Sequence, residues 1–175
     1  MRYIECLVEA MKLLGENKNT IFVGQSVKYK GTGLFWTLEK VPMEKRIELP
    51  VFEDVQMGVS IGLALEGYAP VSIYPRMDFL VLALNQLVNH LDKFEEMSDK
   101  SFKPKVIIRT AIGSVKPLFP GPQHIQDHTE AIKFMCKNIH VVKLTNKEMI
   151  IPEYQKALDR EQSTILIEIP DLYET

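Results

Sequence analysis

Short apolar runs alternate with stretches of helix-spaced apolar residues along the whole chain, and this alternation predicts its elements. Ile4, Leu7, Met11 and Leu14 recur at helical spacing, whereas runs such as TIFVG and KVIIR are typical of short buried strands. The predicted strands cover residues 20–24, 46–49, 70–74, 105–109, 140–144 and 164–169. The predicted helices cover residues 3–15, 53–67, 77–97, 127–136 and 147–158, and residues 25–45 are expected to be irregular.

This order predicts a three-layer α/β fold, in which helices cover both faces of a mostly parallel sheet. Ligands of such sheets bind beyond the carboxyl ends of the strands. Glu53, residues 74–79 and the loop after Arg109 all follow predicted strand ends. We therefore expect three candidate site segments along one edge of the sheet.

The length and net charge of the chain favour a single domain that binds neither nucleic acid nor a membrane surface. A chain of 175 residues suits one domain, and a net charge of −2 gives no reason to expect nucleic acid or a membrane surface as a partner. No apolar run reaches the length of a membrane span. Cys6 and Cys136 lack CxxC spacing and lie in apolar patterns, so we expect buried free thiols and a cytoplasmic protein.

The stretch EDVQMGVSIGL, residues 53–63, is the most informative motif. The free amides and dipole of a helix start favour an acid such as Glu53 at that position. Gly58 and Gly62 are four residues apart and share one helix face, where each glycine costs roughly 1 kcal/mol. The pair suggests the close approach of another helix or a ligand, although chance spacing and ordinary capping remain open from this motif alone.

In its wider context the chain resembles the transketolase-like pyrimidine-binding domain of thiamine diphosphate enzymes. The likeness is strongest to the N-terminal half of the beta subunit of 2-oxoacid dehydrogenase decarboxylases. It includes TIFVGQSV, KRIELPVFEDVQMGVSIGLALEGYAPV, MDFLVLALNQLVNHLDK, PQHIQDHTEAI and ILIEI, in that order. The family's own motif is an acid, four residues, a glycine with an apolar residue after it, two residues, and a second glycine with an apolar residue after it. Residues 53–63 have this spacing.

The resemblance implies roles for individual residues. Glu53 falls at the family's catalytic acid, which hydrogen-bonds a ring nitrogen of the cofactor's aminopyrimidine. Phe79 falls where an aromatic ring stacks on the pyrimidine, and His124 falls near the substrate. Phe52, with Val51 and Val55 beside it, is expected to exclude water from the acid and to line the cofactor site.

The resemblance also implies an interface between subunits. Gly58 and Gly62 would allow close packing on a second chain, and Leu84 and Leu87 of the long apolar helix would join that contact. His124 and His128 have the spacing of a helical metal pair, but no third ligand is evident, and we expect no metal bound by this chain alone.

The chain lacks the Gly-Asp-Gly segment with which the family binds magnesium and the diphosphate. We therefore expect residues 1–175 to form one pyrimidine-binding domain, without the diphosphate-binding and C-terminal domains of the family. A partner chain would supply the magnesium and diphosphate site, in a homodimer or heterotetramer. The loop AIGSVKPLFPGP also departs from the family, and Lys116, Leu118 and Phe119 are expected to reshape the substrate pocket.

The leading hypothesis is a pyrimidine-binding subunit of a split thiamine diphosphate enzyme. It would act on a 2-oxo acid or a ketose-like donor, by decarboxylation or transfer of a two-carbon or acyl unit. The alternative is a non-catalytic homodimeric interaction module. A small nucleotide-binding α/β domain is a third interpretation, but no phosphate-binding loop favours it.

Overall fold

A computed structural model of the chain describes residues 1–116 and 119–175, and it contains a six-stranded, all-parallel sheet. Its strands are β1 (Thr20–Gly24), β2 (Arg46–Glu48), β3 (Ala69–Tyr74), β4 (Ile107–Ala111), β5 (His140–Lys143) and β6 (Thr164–Glu168). Their order across the sheet is β2-β1-β3-β4-β6-β5. The predicted parallel α/β fold is therefore confirmed.

Seven α-helical segments flank the sheet within the described residues. They are α1 (Tyr3–Glu16), α2 (Gly33–Thr37), α3 (Glu53–Leu65), α4 (Met77–Leu80), α5 (Phe94–Met97), α6 (Thr129–Met135) and α7 (Ile150–Asp159). Helices α1 and α7 pack together on one face, and α3, α4 and α6 contribute to the core on the other. None of the helices in the described residues has the length and apolar character needed to cross a membrane.

The strands contribute side chains to two hydrophobic cores, one on each face of the sheet. Successive side chains of a strand point to opposite faces, so Ile73 joins the α1 side while Tyr74 joins the α3 side. Leu166 and Ile167 of β6 divide in the same way. Such double burial explains why several strands read as continuous apolar runs.

The predicted helix at 77–97 is wrong as a single α-helix. Between α4 and α5 the backbone passes through a 3₁₀ turn at Val81–Ala83, a π-helical stretch at Asn85–His90 and a 3₁₀ turn at Leu91–Lys93. The backbone N–H of Leu91 donates to the carbonyl of Gln86, five residues back. A π turn of this kind accommodates an extra residue in the helix, and apolar periodicity alone does not reveal it.

Two further expectations also needed correction. The region expected to be irregular contains α2, which begins after Thr32 because the threonine hydroxyl accepts a hydrogen bond from the backbone N–H of Phe35. The strand expected at 105–109 lies two residues later, at Ile107–Ala111, and is buried throughout. Its last residues, Thr110 and Ala111, lack the strongly apolar character by which the other strands were recognised.

Candidate active site

Glu53 begins α3 just beyond the carboxyl end of β2, and only 3% of its surface is exposed. The side-chain amide nitrogen of Gln25 donates to its Oε1 at 3.1 Å, inside the protein. Among the described residues, none donates a hydrogen bond to its other carboxyl oxygen, Oε2. The acid is therefore held at one oxygen, and its second oxygen is available to a ligand.

Buried polar contacts fix α3 against β3 and so fix the position of Glu53. The amide nitrogen of Gln56 donates to the carbonyl of Ile73 at 2.9 Å, and the hydroxyl oxygens of Ser60 and Ser72 are 2.9 Å apart. The Tyr74 hydroxyl also donates to the carbonyl of Glu53 at 3.4 Å. Since buried polar groups are costly without partners, this network specifies one placement of the helix.

A second acid, Glu48 at the end of β2, organises the loop that carries Gln25. Its carboxylate accepts hydrogen bonds from the backbone N–H groups of Ser26, Val27 and Lys28, at 2.6, 2.7 and 2.8 Å. Ser26 has a positive φ of 59°, which is uncommon for a residue other than glycine. Three charge-assisted hydrogen bonds hold this conformation in place.

The structure brings Phe79 and His124 into contact. Their rings lie 5.4 Å apart in an edge-to-face arrangement, with an interplanar angle of 85°. Arg76 donates to the carbonyl of His124 at 2.9 Å, and Asp78 accepts from the side-chain amide of Gln126 at 3.0 Å. The segment after β3 thus positions the segment that carries His124.

The expected shielding of Glu53 by its neighbours is not what the chain shows. Val51 is 77% exposed, Phe52 is 60% exposed and Val55 is 44% exposed. They lie on the outer side of the helix start. The buried Gln25 donates to the carboxyl group from inside the protein, and the buried Tyr74 donates to the backbone carbonyl of Glu53. Phe52 is therefore available to line a ligand site, but it does not bury Glu53 within this chain.

The expected interface residues divide into two groups. A Cβ atom added at Gly58 or Gly62 would meet nothing within 4 Å, so this face of α3 is open in the single chain. Leu84 is partly buried against the α3-side core. Leu87 is fully buried in that core, which corrects its assignment to the interface, because it has no surface left to contact a second chain.

An ion pair that sequence reasoning missed lies at the same edge of the sheet. Arg109 of β4 and Glu168 of β6 are both buried, and Tyr173 donates to Glu168 at 2.8 Å while Tyr154 donates at 3.1 Å. Burial lowers the pKa of Arg109, but the negative charge of Glu168, together with its hydrogen bond and the neighbouring tyrosines, raises it by more. The pKa of Arg109 is therefore above its ordinary value. The sequence indicated this ion pair only through Arg109, a charged residue at the end of a predicted apolar strand.

This ion pair borders a cavity of about 280 Å³ whose walls include Leu34, Arg76 and Tyr173. Glu53, Phe79 and His124 do not line it. Because both oxygens of Glu168 already accept hydrogen bonds, the acid is not free to act as a base. We interpret the network as structural.

The loop after β4 begins with a fixed segment. Ser114 lies with its hydroxyl 2.6 Å from Asp171, and the backbone N–H of Val115 donates to the same carboxylate. Phe119 is exposed, and Lys116 is also at the surface. Leu118, the third residue expected to reshape the pocket, lies outside the described residues.

A metal site is not formed by the described residues: no three histidine, cysteine, aspartate or glutamate side chains are grouped to hold an ion. Cys6 and Cys136 are buried free thiols, as expected. Apart from the Arg109–Glu168 ion pair, this edge offers a ligand the buried carboxyl group of Glu53 and the Phe79 ring in contact with the His124 imidazole.

No protein-family model matches the chain. Individual proteins do match it: the 2-oxoisovalerate dehydrogenase subunit beta of Bacillus subtilis is 29% identical over 120 residues, which is 65% of this chain and 36% of that protein. The pyruvate dehydrogenase E1 component subunit beta of Cyanidium caldarium is 30% identical over 129 residues, 72% of this chain and 38% of that protein. The chain thus spans somewhat over a third of the length of these curated relatives.

Solved structures share the fold over nearly the whole chain. A split-gene transketolase, described as an inactive beta4 tetramer, superposes with a TM-score of 0.62 at 19% identity, covering 95% of this chain and 50% of that one. The transketolase of Campylobacter jejuni gives a TM-score of 0.66 at 13% identity, covering 95% of this chain and 25% of that one. Sequence and fold together confirm that this chain resembles the transketolase-like pyrimidine-binding domain of thiamine diphosphate enzymes, with relatives among the beta subunits of 2-oxoacid dehydrogenases.

Proposed function

We propose that the chain is the pyrimidine-binding subunit of a split thiamine diphosphate enzyme. The observation that carries this proposal is the buried Glu53, with Oε1 held by Gln25 and no donor from the described residues at Oε2. An acid whose one oxygen is held inside the protein, and whose other oxygen receives no donor from the described residues, suits a site where a ligand nitrogen completes the contact. The position of the acid in the family motif supports the same assignment.

Each residue of the edge has a role in this proposal. Glu53 hydrogen-bonds a ring nitrogen of the aminopyrimidine, and Phe79 lies against the ring, where stacking adds about 0.5–1.5 kcal/mol beyond burial. His124 lies next to Phe79 and contacts the substrate. Phe52, exposed at the start of α3, covers the outer side of the cofactor. When bound, thiamine diphosphate would supply a carbon nucleophile for the carbonyl carbon of the substrate and an electron sink for the pair released when the adjacent carbon–carbon bond breaks.

A partner chain completes the site in this proposal, because the sequence lacks a Gly-Asp-Gly segment to hold magnesium and the diphosphate. The open face of α3 is the contact surface that we propose. Its apolar side chains Phe52, Val55 and Val59 are exposed, and Gly58 and Gly62 leave room for close approach. Exposed apolar residues grouped on one helix face are typical of interaction surfaces.

The substrate class is inferred from the names of similar proteins. The curated relatives are named for 2-oxoisovalerate and pyruvate, and both structural neighbours are transketolases. We therefore propose a 2-oxo acid or a ketose-like donor. Lys116 and Phe119 in the loop after β4 are candidates for distinguishing these substrates, because both are exposed and shortly precede, in the sequence, the segment that carries His124.

The proposal is tested by purifying the chain together with a partner that contains Gly-Asp-Gly, and by measuring thiamine diphosphate-dependent turnover of pyruvate and of a ketose phosphate. The assembled pair should turn over one of them. Glu53→Gln should lower kcat at least about a hundredfold, as expected for loss of a group that acts in proton transfer. Asp54→Asn, the same change one residue later, should retain activity, and equal activity of both variants would refute the mechanism.

One observation favours a second candidate function, a non-catalytic homodimeric interaction module. The split-gene transketolase that superposes on the chain is described as an inactive beta4 tetramer. In that protein, four beta chains form an assembly that is described as inactive. Calorimetric titration of the assembled pair with thiamine diphosphate and magnesium separates the candidates, because saturable binding would exclude a purely structural role.

A further inference from the structure

Gln25 and Glu53 form a buried contact between side chains that are 28 residues apart in the sequence. Gln25 is only 9% exposed, and Glu53 is 3% exposed. Two polar side chains are removed from water at this point, and each costs free energy unless it is hydrogen-bonded. The contact is therefore a specific feature of the fold rather than a chance meeting at the surface.

The direction of this hydrogen bond determines which oxygen of the Glu53 carboxyl group can carry a proton. The amide nitrogen of Gln25 is a donor only, so Oε1 of Glu53 must act as the acceptor. If the carboxyl group carries a proton, the proton belongs on Oε2, because the oxygen that accepts from Gln25 is then the carbonyl oxygen. Oε2 is also the oxygen for which the described residues provide no donor.

The backbone around Gln25 is held in place as well. Glu48 accepts three backbone hydrogen bonds from the residues that follow Gln25. Gly24, which precedes it, lies so close to β3 that an added Cβ would overlap the carbonyl oxygen of Ile73. Gln25 is thus fixed on both sides and presents its amide to Glu53 from a rigid base.

We propose that Gln25 is a positioning residue: it holds Oε1 of Glu53 and leaves Oε2 as the oxygen that faces the ligand and carries any proton. This inference rests on the proposed function, in which that ligand is the aminopyrimidine. It adds a residue that the motif around Glu53 does not contain. It also assigns different tasks to the two carboxyl oxygens.

The contact itself is tested in the chain alone, by NMR of the Gln25 side-chain amide group. Glu53→Gln should shift the amide proton signals of Gln25, because it replaces a carboxyl acceptor with an amide. Glu66→Gln, at the exposed end of the same helix, should leave them unchanged. Unchanged Gln25 signals in Glu53→Gln would refute the pairing, whatever the enzyme does.

The positioning role is tested in the assembled pair with two variants. Gln25→Leu keeps the approximate shape of the side chain but cannot donate, and it should lower kcat or cofactor affinity by up to roughly tenfold, the value of one intramolecular hydrogen bond. Gln155→Leu removes an exposed amide on α7 and serves as the control. Gln25→Leu with the kcat and cofactor affinity of the wild type would overturn the role.

A pH profile separates positioning from simple packing. In Gln25→Glu the new carboxyl group donates to Glu53 only when it is protonated, so activity should recover as the pH is lowered, whereas wild type and Gln25→Leu should show no such gain. The titratable groups beside the Gln25–Glu53 contact, Tyr74, Asp54 and Glu48, are the same in all three proteins.

Absence of turnover in the assembled wild-type subunits would refute the proposed function. The NMR result would still decide whether Gln25 and Glu53 are hydrogen-bonded.

Discussion

A close approach of two backbone segments at Gly113 determines where His124 lies. A Cβ atom added at Gly113 would overlap the Cα of Ile125 and the carbonyl oxygen of His124. Only a residue without a side chain permits the loop after β4 to pass so near to the 122–125 segment. The glycine therefore helps to place the imidazole against Phe79.

We predict that Gly113→Ala lowers the free energy of unfolding by about 1–3 kcal/mol, the usual cost of forcing atoms into filled space. Gly33→Ala is the control, because an added Cβ there meets nothing within 4 Å. Urea denaturation of both variants measures the difference. Equal stability of the two variants would contradict the close approach.

Some single residues of the site could be predicted from sequence, and others could not. Glu53 was identifiable because it begins a motif with fixed spacing. The segments of Phe79 and His124 were expected along one edge of the sheet, but the contact between the two rings was not predicted. Gln25 was missed because its partner is 28 residues away, and only the folded chain joins them. Leu87 was misassigned because apolar periodicity does not distinguish core from interface.

At the scale of elements, α3 combines a fixed inner side with an open outer side. Gln56 and Ser60 anchor its inner side to β3, while Gly58 and Gly62 leave the outer side without side chains to pack. The helix is thus rigid where it holds Glu53 and open where we propose that a second chain binds.

We predict that Gly62→Leu leaves the single chain folded but weakens its assembly. The leucine would extend into open space in the isolated chain and would obstruct close packing by a second one. Lys12→Leu, an exposed leucine on α1 at the opposite face of the sheet, is the matched control. Sedimentation velocity with the partner chain measures assembly, and unchanged association of Gly62→Leu would rule out this face as the contact.

The pattern of apolar residues predicted elements well where burial is uniform. Strands β1 and β6 matched closely because they are nearly continuous buried runs, and helix α1 matched because its apolar positions keep helical spacing from end to end. The stretch between α4 and α5 failed, since π and 3₁₀ turns keep a helix-like pattern while changing the hydrogen bonds. Helix α2 was missed because five residues are too few to show a period.

At the scale of the whole molecule, buried ionisable groups couple the stability of both cores to pH. Burial raises the pKa of the Cys136 thiol from 9.0 to about 12. Burial also raises the pKa values of Tyr154 and Tyr173 well above their ordinary range. These groups remain protonated in the folded chain under conditions in which they ionise in the unfolded chain.

We predict that the free energy of unfolding falls as the pH rises above about 9. The unfolded chain then binds fewer protons than the folded chain, so each such group contributes a slope of at most about −1.4 kcal/mol per pH unit. Below that pH the thiol is protonated in both states, and its contribution is constant. Urea titrations from pH 7 to 10.5 measure the slope.

Cys136→Ala should reduce the part of this decline that begins near the thiol's ordinary pKa of 9.0, and should leave the part that tyrosines contribute at higher pH. A variant that loses stability with pH as steeply as the wild type would show that the thiol is not the titrating group.

The central claim is that Glu53 contacts the aminopyrimidine of thiamine diphosphate while another chain holds the diphosphate. A crystal structure of the assembled pair with thiamine diphosphate and magnesium tests it most directly. We predict that Oε2 of Glu53 lies within about 3 Å of a pyrimidine ring nitrogen, with Gln25 still donating to Oε1. A cofactor bound away from Glu53, or a Glu53 carboxyl group in bulk water, would contradict the account.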